Sequence, residues 1–211
     1  MNKYDQLIMV VKTKVLLGQN TFQGFKPQNQ EDFETKILKN YEFIKRGIAE
    51  EDPNYKQPIA YAIILNPQTK KIFTFQRAKK DKNYTEKRLQ GKWALGVGGH
   101  IEKIDDDSKN PIYASMLREI NEEVNIHGKI TPKIIGYIND DSNSVGKVHF
   151  GIIYIIQTDA EIITPKDAEM ESGKLITMNE LEQLVLSRDE QIEEWTKIAL
   201  NPLKKYFNNN N

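Results

Sequence analysis

Three glutamates lie at helical spacing in the middle of the chain: Glu119, Glu122 and Glu123. Residues three and four positions apart share one face of an α-helix, so their carboxylates are expected to form a compact patch of oxygen atoms. Oxygen atoms are the ligands that Mg²⁺ and Ca²⁺ prefer. A glycine pair, Gly98 and Gly99, precedes this segment and lets the backbone approach a ligand closely. The pattern predicts a site that holds a hard divalent cation against a phosphate.

Each of these features alone has a simpler explanation. The stretch Arg-Glu-Ile-Asn-Glu-Glu at 118–123 is also typical of a solvated helix face, and Gly-Val-Gly-Gly at 96–99 of a turn after a strand. Neighbouring acids on one face repel each other by roughly a few tenths of a kcal/mol. Arg118, four residues before Glu122, can relieve part of this repulsion, and a bound cation would relieve the rest. The glycine turn beside the acidic helix is what favours the cation site.

The acidic segment is predicted to be a helix over about 111–125. Asn110 or Ser108 can cap its N-terminus, and Pro111 suits the first turn because its missing N–H would be unpaired there. Gly128 follows the last periodic residue. The apolar stripe expected to face the core consists of Tyr113, Leu117, Ile120 and Val124.

The composition limits the class of protein. The chain has 211 residues, 30 basic and 30 acidic side chains, and no cysteine. The balanced charge gives no argument for a nucleic-acid or membrane partner, and the lack of cysteine excludes disulfides and thiol chemistry. Three histidines, His100, His127 and His149, are scattered and have no zinc-like spacing. The apolar run at 7–11 is too short for a signal peptide or membrane span, so a cytoplasmic location is expected.

The glycine turn, acidic loop and helix together resemble the signature of the Nudix hydrolases. That signature reads Gly, five residues, Glu, seven residues, Arg-Glu, an aliphatic residue, any residue, Glu-Glu, any residue, Gly and an aliphatic residue. The stretch 118–123 matches its helical half without a gap. Asp105 follows Gly99 after five residues and replaces the expected Glu.

The chain departs from the signature in one further spacing and at two further positions. Twelve residues, not seven, separate Asp105 from Arg118, which indicates a loop insertion. Asn125 stands at the late glycine, and Ile104 replaces a glycine that often precedes the acid. Wider similarity at 56–58, 86–89 and 96–100 resembles a bacterial Nudix subgroup described as predicted phosphoesterases.

The resemblance implies hydrolysis of a nucleoside diphosphate linked to another moiety, with water attacking phosphorus and Mg²⁺ or Mn²⁺ as the cofactor. Glu122 and Glu123 are then the expected metal ligands, together with the Gly98 carbonyl. Glu119 is expected to assist metal or water activation, and Arg118 to orient a helix carboxylate.

Further candidates come from the surrounding loops and strands. Glu102 and Asp105 in the acidic loop are additional metal ligands, and Glu169 and Glu171 in a later loop are metal ligands or the general base. The residues expected to contact substrate are Arg77, Arg88, Trp93 and His100.

Two other functions are compatible with a Nudix-type fold. A non-catalytic nucleotide-binding module tends to lose the helix carboxylates, all three of which are present here. An isopentenyl-diphosphate isomerase normally uses a cysteine, which this chain lacks. The expected partner is therefore a small, nucleotide-like diphosphate, whereas nucleic acid is not expected because no helix-turn-helix or basic arm is evident.

The order of predicted elements indicates an α+β fold, a Nudix-type α/β/α sandwich with a mixed β-sheet. Residues 56–207 are expected to form the Nudix domain and 208–211 a disordered tail. Residues 1–55 are expected to be an extension, with a strand or hairpin and a helix at 31–48, that packs on this domain or forms a homodimer interface. The predicted strands are 59–65, 71–76, 93–97, 133–138, 148–157 and 175–177, and the predicted C-terminal helices are 179–186 and 189–207.

Overall fold

The computed structural model describes residues 2–19, 21–79 and 89–209. The chain divides into two compact units, each assembled from three stretches of sequence. Unit 1 consists of Met1–Tyr61, Gly98–Glu119 and Ile134–Tyr154, and unit 2 of Ala62–Val97, Ile120–Lys133 and Ile155–Asn211.

The N-terminal stretch of unit 1 is built around one central strand, β1. Its elements are β1 (Leu7–Lys12), α1 (Thr13–Leu17), β2 (Gly24–Pro27), α2 (Phe33–Asn40), β3 (Glu42–Lys45) and α3 (Arg46–Ala49). β1 pairs antiparallel with β3 and, through its last two residues, with the start of β4 (Tyr55–Asn66). The four central residues of β1 are buried, as expected for a strand covered on both faces.

The helix predicted at 31–48 is only partly correct. Asp32 caps α2 by accepting the N–H of Thr35 at 3.0 Å, but the helix ends at Asn40 because Tyr41 is extended. The next four residues form β3, paired residue by residue with β1. Their apolar spacing fits a helix equally well, and only the distant partner strand decides the outcome.

An aromatic cluster joins the N-terminal stretch to the rest of unit 1. The ring of Phe33 lies 5.6 Å from Phe22, 5.1 Å from Tyr137 and 5.2 Å from Phe150, measured between ring centroids. Tyr137 belongs to β9 (Ile130–Asn139) and Phe150 to β10 (His149–Thr158), which follows α5 (Ser144–Val148). β2 pairs antiparallel with β9 beside this cluster.

Unit 2 is organised around β5 (Lys71–Arg77), which lies between β4 and β12 (Met170–Thr177). The single strand predicted at 93–97 is divided into β6 (Trp93–Ala94), paired with β5, and β7 (Gly96–Val97), paired with β4. The strands β8 (Val124–Ile126) and β11 (Ile163–Pro165) form a separate antiparallel pair.

The C-terminal part of unit 2 consists of two helices. α6 (Met178–Ser187) begins with a reciprocal capping box between Thr177 and Glu180. The helix predicted from 189 is replaced at its start by a 3₁₀ turn, Asp189–Gln191, before α7 (Glu194–Asn209). α7 includes residues 208 and 209 of the predicted tail. Among the described residues, no helix is both long and apolar enough to cross a membrane.

The acidic helix α4 runs from Pro111 to Glu123. Asn110 is its cap, because its side-chain oxygen accepts the N–H of Tyr113 at 3.0 Å. The predicted end near residue 125 is wrong, since Val124 already begins β8 and pairs with β11. The buried face of α4 also differs from the predicted apolar stripe, because Tyr113 is exposed while Ile112 and Met116 are fully buried.

Candidate active site

Each glycine of the pair lies very close to another residue of unit 1. Gly98 has φ of +152°, and a Cβ there would overlap the carbonyl oxygen of Ala60. A Cβ on Gly99 would lie 2.6 and 2.7 Å from the two carboxylate oxygens of Glu119. Glycine is therefore required at position 98, where a side chain would overlap backbone, and Gly99 leaves room for a predicted catalytic carboxylate in its present orientation.

Arg118 connects the acidic loop to Glu119. Its Nε and Nη2 each donate to Asp105 at 3.0 Å, one to each carboxylate oxygen. Its Nη1 donates to Glu119 Oε1 at 2.7 Å, and Nη2 also donates to the His100 carbonyl at 3.0 Å. The planar guanidinium thereby fixes the orientation of the Glu119 carboxylate.

The charge of Arg118 is secured by these acidic partners. Burial by itself would lower the pKa of Arg118, but hydrogen bonds and charge from Asp105 and Glu119 outweigh it and raise the pKa above its usual value. Arg118 is thus positively charged at every pH at which the protein is folded.

Asp105 holds Arg118 in position through its buried carboxylate. Its side chain is buried, and besides Arg118 it accepts the backbone N–H of Glu102 at 2.8 Å. Glu102 in return accepts a backbone N–H of the 3₁₀ turn Lys103–Asp107, so the two acids form a capping box. Both oxygens of Asp105 are used by protein donors, which argues against the metal-ligand role predicted for it.

The inserted loop is ordered by contacts to the N-terminal stretch. Asp106 accepts a hydrogen bond from the Tyr41 hydroxyl at 2.7 Å, and Asn110 donates to Glu34 at 2.9 Å. The hydroxyl of Ser108 donates back to the Asp105 carbonyl at 2.9 Å. The extra residues therefore hold Asp105 in place.

Glu122 and Glu123 occupy the last turn of α4. Helical geometry puts them on the same face as Glu119. Glu122 is exposed and Glu123 half-buried. The Glu123 carbonyl accepts the backbone N–H groups of Lys166 and Asp167 at 2.8 and 3.3 Å, so the later loop is attached to the end of the helix.

Two candidate acids, Glu169 and Glu171, follow this attachment in the chain. Asp167 accepts the backbone N–H of Glu169 at 2.6 Å, and the Glu169 carbonyl accepts the N–H of Ala78 at 2.8 Å. Glu171 is the extra residue where the register of β12 against β5 shifts, between Met170 and Ser172. Such bulges redirect side chains and are common beside active sites.

The residues predicted to contact substrate lie in different surroundings. Arg77 forms an ion pair with buried Glu193, so its charge is engaged inside unit 2. Trp93 is half-buried, and its indole N–H has no hydrogen-bond partner among the described residues. Arg88 lies in the segment 80–88, outside the described residues.

The histidines are not scattered in space. The Nε2 atoms of His100 and His149 are 3.3 Å apart, and Glu50 Oε1 lies 3.8 Å from the same atom of His100. Each of these three residues is separated from the next by about fifty positions, so no local spacing could reveal the cluster. His127 is exposed and outside the cluster.

His100 is directed into this cluster. Its Nε2 lies 2.7 Å from Gln57 Oε1, and the Gln57 amide is oriented by donating to the Ala49 carbonyl at 3.1 Å. Burial holds the pKa of His100 well below its usual range, and the positive charge of Arg46 acts in the same direction. These contacts do not support the predicted role of His100 in substrate binding.

The structure combines an α+β fold with a carboxylate-bearing helix beside a glycine turn. Comparisons with known proteins identify the family that shares these features. The NUDIX domain family model matches residues 55–196. Protein YmaB of Bacillus subtilis (strain 168) is 32% identical, over 97% of this chain and 100% of YmaB. The chain belongs to the Nudix family, as its signature predicts, and is a hydrolase acting on phosphoric anhydride bonds.

Solved structures confirm the predicted fold class, α+β with a mixed sheet. Tm1382, a proposed Nudix hydrolase, is 27% identical with a TM-score of 0.78, covering 95% of this chain and 100% of that chain. A bifunctional NMN adenylyltransferase/ADP ribose pyrophosphatase from Francisella tularensis, solved with AMP and a manganese ion, shares the fold at 18% identity. Its TM-score is 0.50 over 72% of this chain and 42% of that chain.

Proposed function

We propose that this chain is a Mg²⁺- or Mn²⁺-dependent pyrophosphohydrolase that cleaves a nucleoside diphosphate linked to another moiety. The observation that carries the proposal is the complete carboxylate face of α4, with Glu119 held against the glycine turn by Arg118. The face supplies only oxygen donors, which fits a hard divalent cation.

The side chains of α4 have distinct roles in this proposal. Glu122, Glu123 and the Gly98 carbonyl would hold the cation, which supplies positive charge to the phosphate oxygens and acidifies a bound water. Glu119 accepts a proton from the attacking water or adds a further oxygen ligand. Arg118 positions Glu119, because its hydrogen bond fixes Oε1 in one orientation.

The later loop is the second source of a general base. The attachment of Lys166 and Asp167 to the Glu123 carbonyl supports this assignment, because it brings the loop to the helix end that bears the metal-binding carboxylates. Glu169 and Glu171 are the candidates, and the redirected position of Glu171 favours it over an ordinary strand residue.

A screen of nucleoside diphosphate compounds with Mg²⁺ or Mn²⁺ tests the reaction. Nucleotide sugars, dinucleoside polyphosphates, dinucleotide cofactors and nucleoside triphosphates represent the main types of linked moiety. We expect metal-dependent release of a nucleoside monophosphate or inorganic phosphate from at least one type. If compounds bind to the protein but none of them releases product, the non-catalytic binding module becomes the better explanation.

Substitution of the helix carboxylates tests the site. Glu122→Gln and Glu123→Gln keep the side-chain shape and remove a charged oxygen, so kcat is expected to fall about 10²–10³-fold. Glu190→Gln, at an exposed position outside α4, serves as the matched control. Equal rates for Glu122→Gln and Glu190→Gln would show that α4 does not carry the reaction.

A further inference from the structure

We propose that Glu50, His100 and His149 form a second metal site, selective for Zn²⁺ or a similar transition-metal ion. The cluster lies entirely within unit 1 and shares no side chain with the carboxylate face of α4. It contributes two imidazole nitrogens and one carboxylate oxygen. This donor set suits Zn²⁺ and other borderline metals, whereas Mg²⁺ prefers oxygen ligands alone.

The spacing of the donor atoms is close to that of a loaded site. The candidate ligand atoms of the three residues all lie within 4.8 Å of one another. Zn–N bonds of about 2.0–2.1 Å in tetrahedral geometry put neighbouring donors about 3.3 Å apart. The two Nε2 atoms are already 3.3 Å apart. Glu50 Oε1, 3.8 Å from His100 Nε2, is slightly farther away than that geometry requires.

The ligand side chains are oriented by the residues around them. His149 Nδ1 donates to the Val145 carbonyl at 2.8 Å, so in the neutral ring Nε2 carries the lone pair, and this nitrogen accepts a hydrogen bond from His100 Nε2 at 3.3 Å. A metal-binding histidine commonly has such a carbonyl partner on its other nitrogen. Arg46 donates to Glu50 Oε1 at 3.1 Å and orders that carboxylate.

The surroundings of the cluster limit access by water. His149 is buried, and the side chains of His100 and Glu50 are only 13% and 16% exposed. Gln57 Oε1 accepts a hydrogen bond from His100 Nε2, so the His100 proton must move to Nδ1 before Nε2 can bind an ion. Gln57 Oε1 is then a fourth donor atom next to the three ligands. Three protein ligands leave at least one coordination position for this oxygen or for a water molecule.

Metal binding at this cluster would cross-link three separate parts of unit 1. Glu50 follows α3, His100 follows the glycine pair, and His149 begins β10. The ion would therefore fasten the N-terminal stretch to the turn that packs against Glu119. Its expected effect is on the stability of unit 1, independent of the metal used in hydrolysis.

Spectroscopy with Co²⁺ as a probe for Zn²⁺ tests the site on the full chain after treatment with a chelator. We expect one equivalent of Co²⁺ to give the intense visible absorption of a four- or five-coordinate ion, lost on adding equimolar Zn²⁺ and retained in excess Mg²⁺. The variant Glu122→Gln/Glu123→Gln should give the same spectrum, so failure of the proposed hydrolytic site does not affect this result.

Single substitutions identify the ligands. His149→Gln and Glu50→Gln should each weaken Co²⁺ binding by at least about 100-fold, whereas His127→Gln, which alters an exposed histidine, should bind as the natural chain does. Saturating Zn²⁺ should raise the melting temperature of the natural chain and of His127→Gln by several degrees, but not that of the two ligand variants. The proposal is overturned if Co²⁺ up to about 1 mM gives no such absorption, or if both ligand variants bind it like His127→Gln.

Discussion

At the scale of single residues, the departures from the Nudix signature support one another. Asp105 is shorter than the expected glutamate, yet it makes both hydrogen bonds to Arg118 because a 3₁₀ turn presents it from the lengthened loop. That loop is in turn held through Asp106 and Asn110. A shorter acid and a longer loop thus produce the same result, an arginine with its charge fixed beside Glu119.

Asp105→Asn should weaken this arrangement. The change leaves the partly buried Arg118 with less compensating charge, and we expect a loss of about 2–3 kcal/mol in the free energy of unfolding. It should also lower kcat with little effect on KM, because Glu119 loses its fixed orientation. Thermal unfolding and steady-state kinetics measure the two effects. Asp107→Asn, at an exposed position of the same turn, is the control, and identical melting of the two variants would contradict the assignment.

At the scale of elements, local signals predicted what local interactions determine. The cap and first residue of α4 follow from Asn110 and Pro111, whose effects act within one helical turn. The end of α4 and the identity of β3 depend on distant strands, so the sequence could not predict them. The same reasoning applies to the histidine cluster, whose members are brought together only by the tertiary fold.

Removal of the α4 cap is the test at this scale. Asn110→Ala eliminates the bond to the Tyr113 N–H and the link to Glu34, and should cost about 1–2 kcal/mol. For a chain of this size that corresponds to a fall of roughly 2–8 °C in melting temperature. Asn121→Ala, at an exposed position on the same helix, should leave the melting temperature nearly unchanged. A melting temperature for Asn110→Ala equal to that of Asn121→Ala would count against the cap.

At the scale of the whole molecule, the N-terminal residues are part of one compact unit with the glycine turn and with the residues of α4 up to Glu119. Unit 1 includes residues from both sides of the division predicted at residue 55. Composition and spacing give little information about such an arrangement, because the contacts involved are between residues far apart in the sequence. The aromatic cluster around Phe33 is the clearest of these contacts.

Phe33→Ala should therefore destabilise unit 1 as strongly as a typical core substitution. Loss of a fully buried phenylalanine is expected to cost about 3–5 kcal/mol, measured by chemical denaturation. Phe207→Ala, which removes a half-buried ring near the end of α7, should cost much less. If the two variants were equally stable, residues 1–55 would be a dispensable appendage.

The attachment of the later loop to α4 has a consequence for how the enzyme can diversify. The carbonyl of Glu123 receives two N–H groups from adjacent residues, so the chain between there and β12 has a fixed starting point. Adding or deleting a residue between Lys166 and Glu169 would shift Glu169 and Glu171 relative to this fixed point. If Glu169 or Glu171 is the proposed general base, we therefore expect related enzymes with new substrates to differ in the side chains of this loop while its length stays constant.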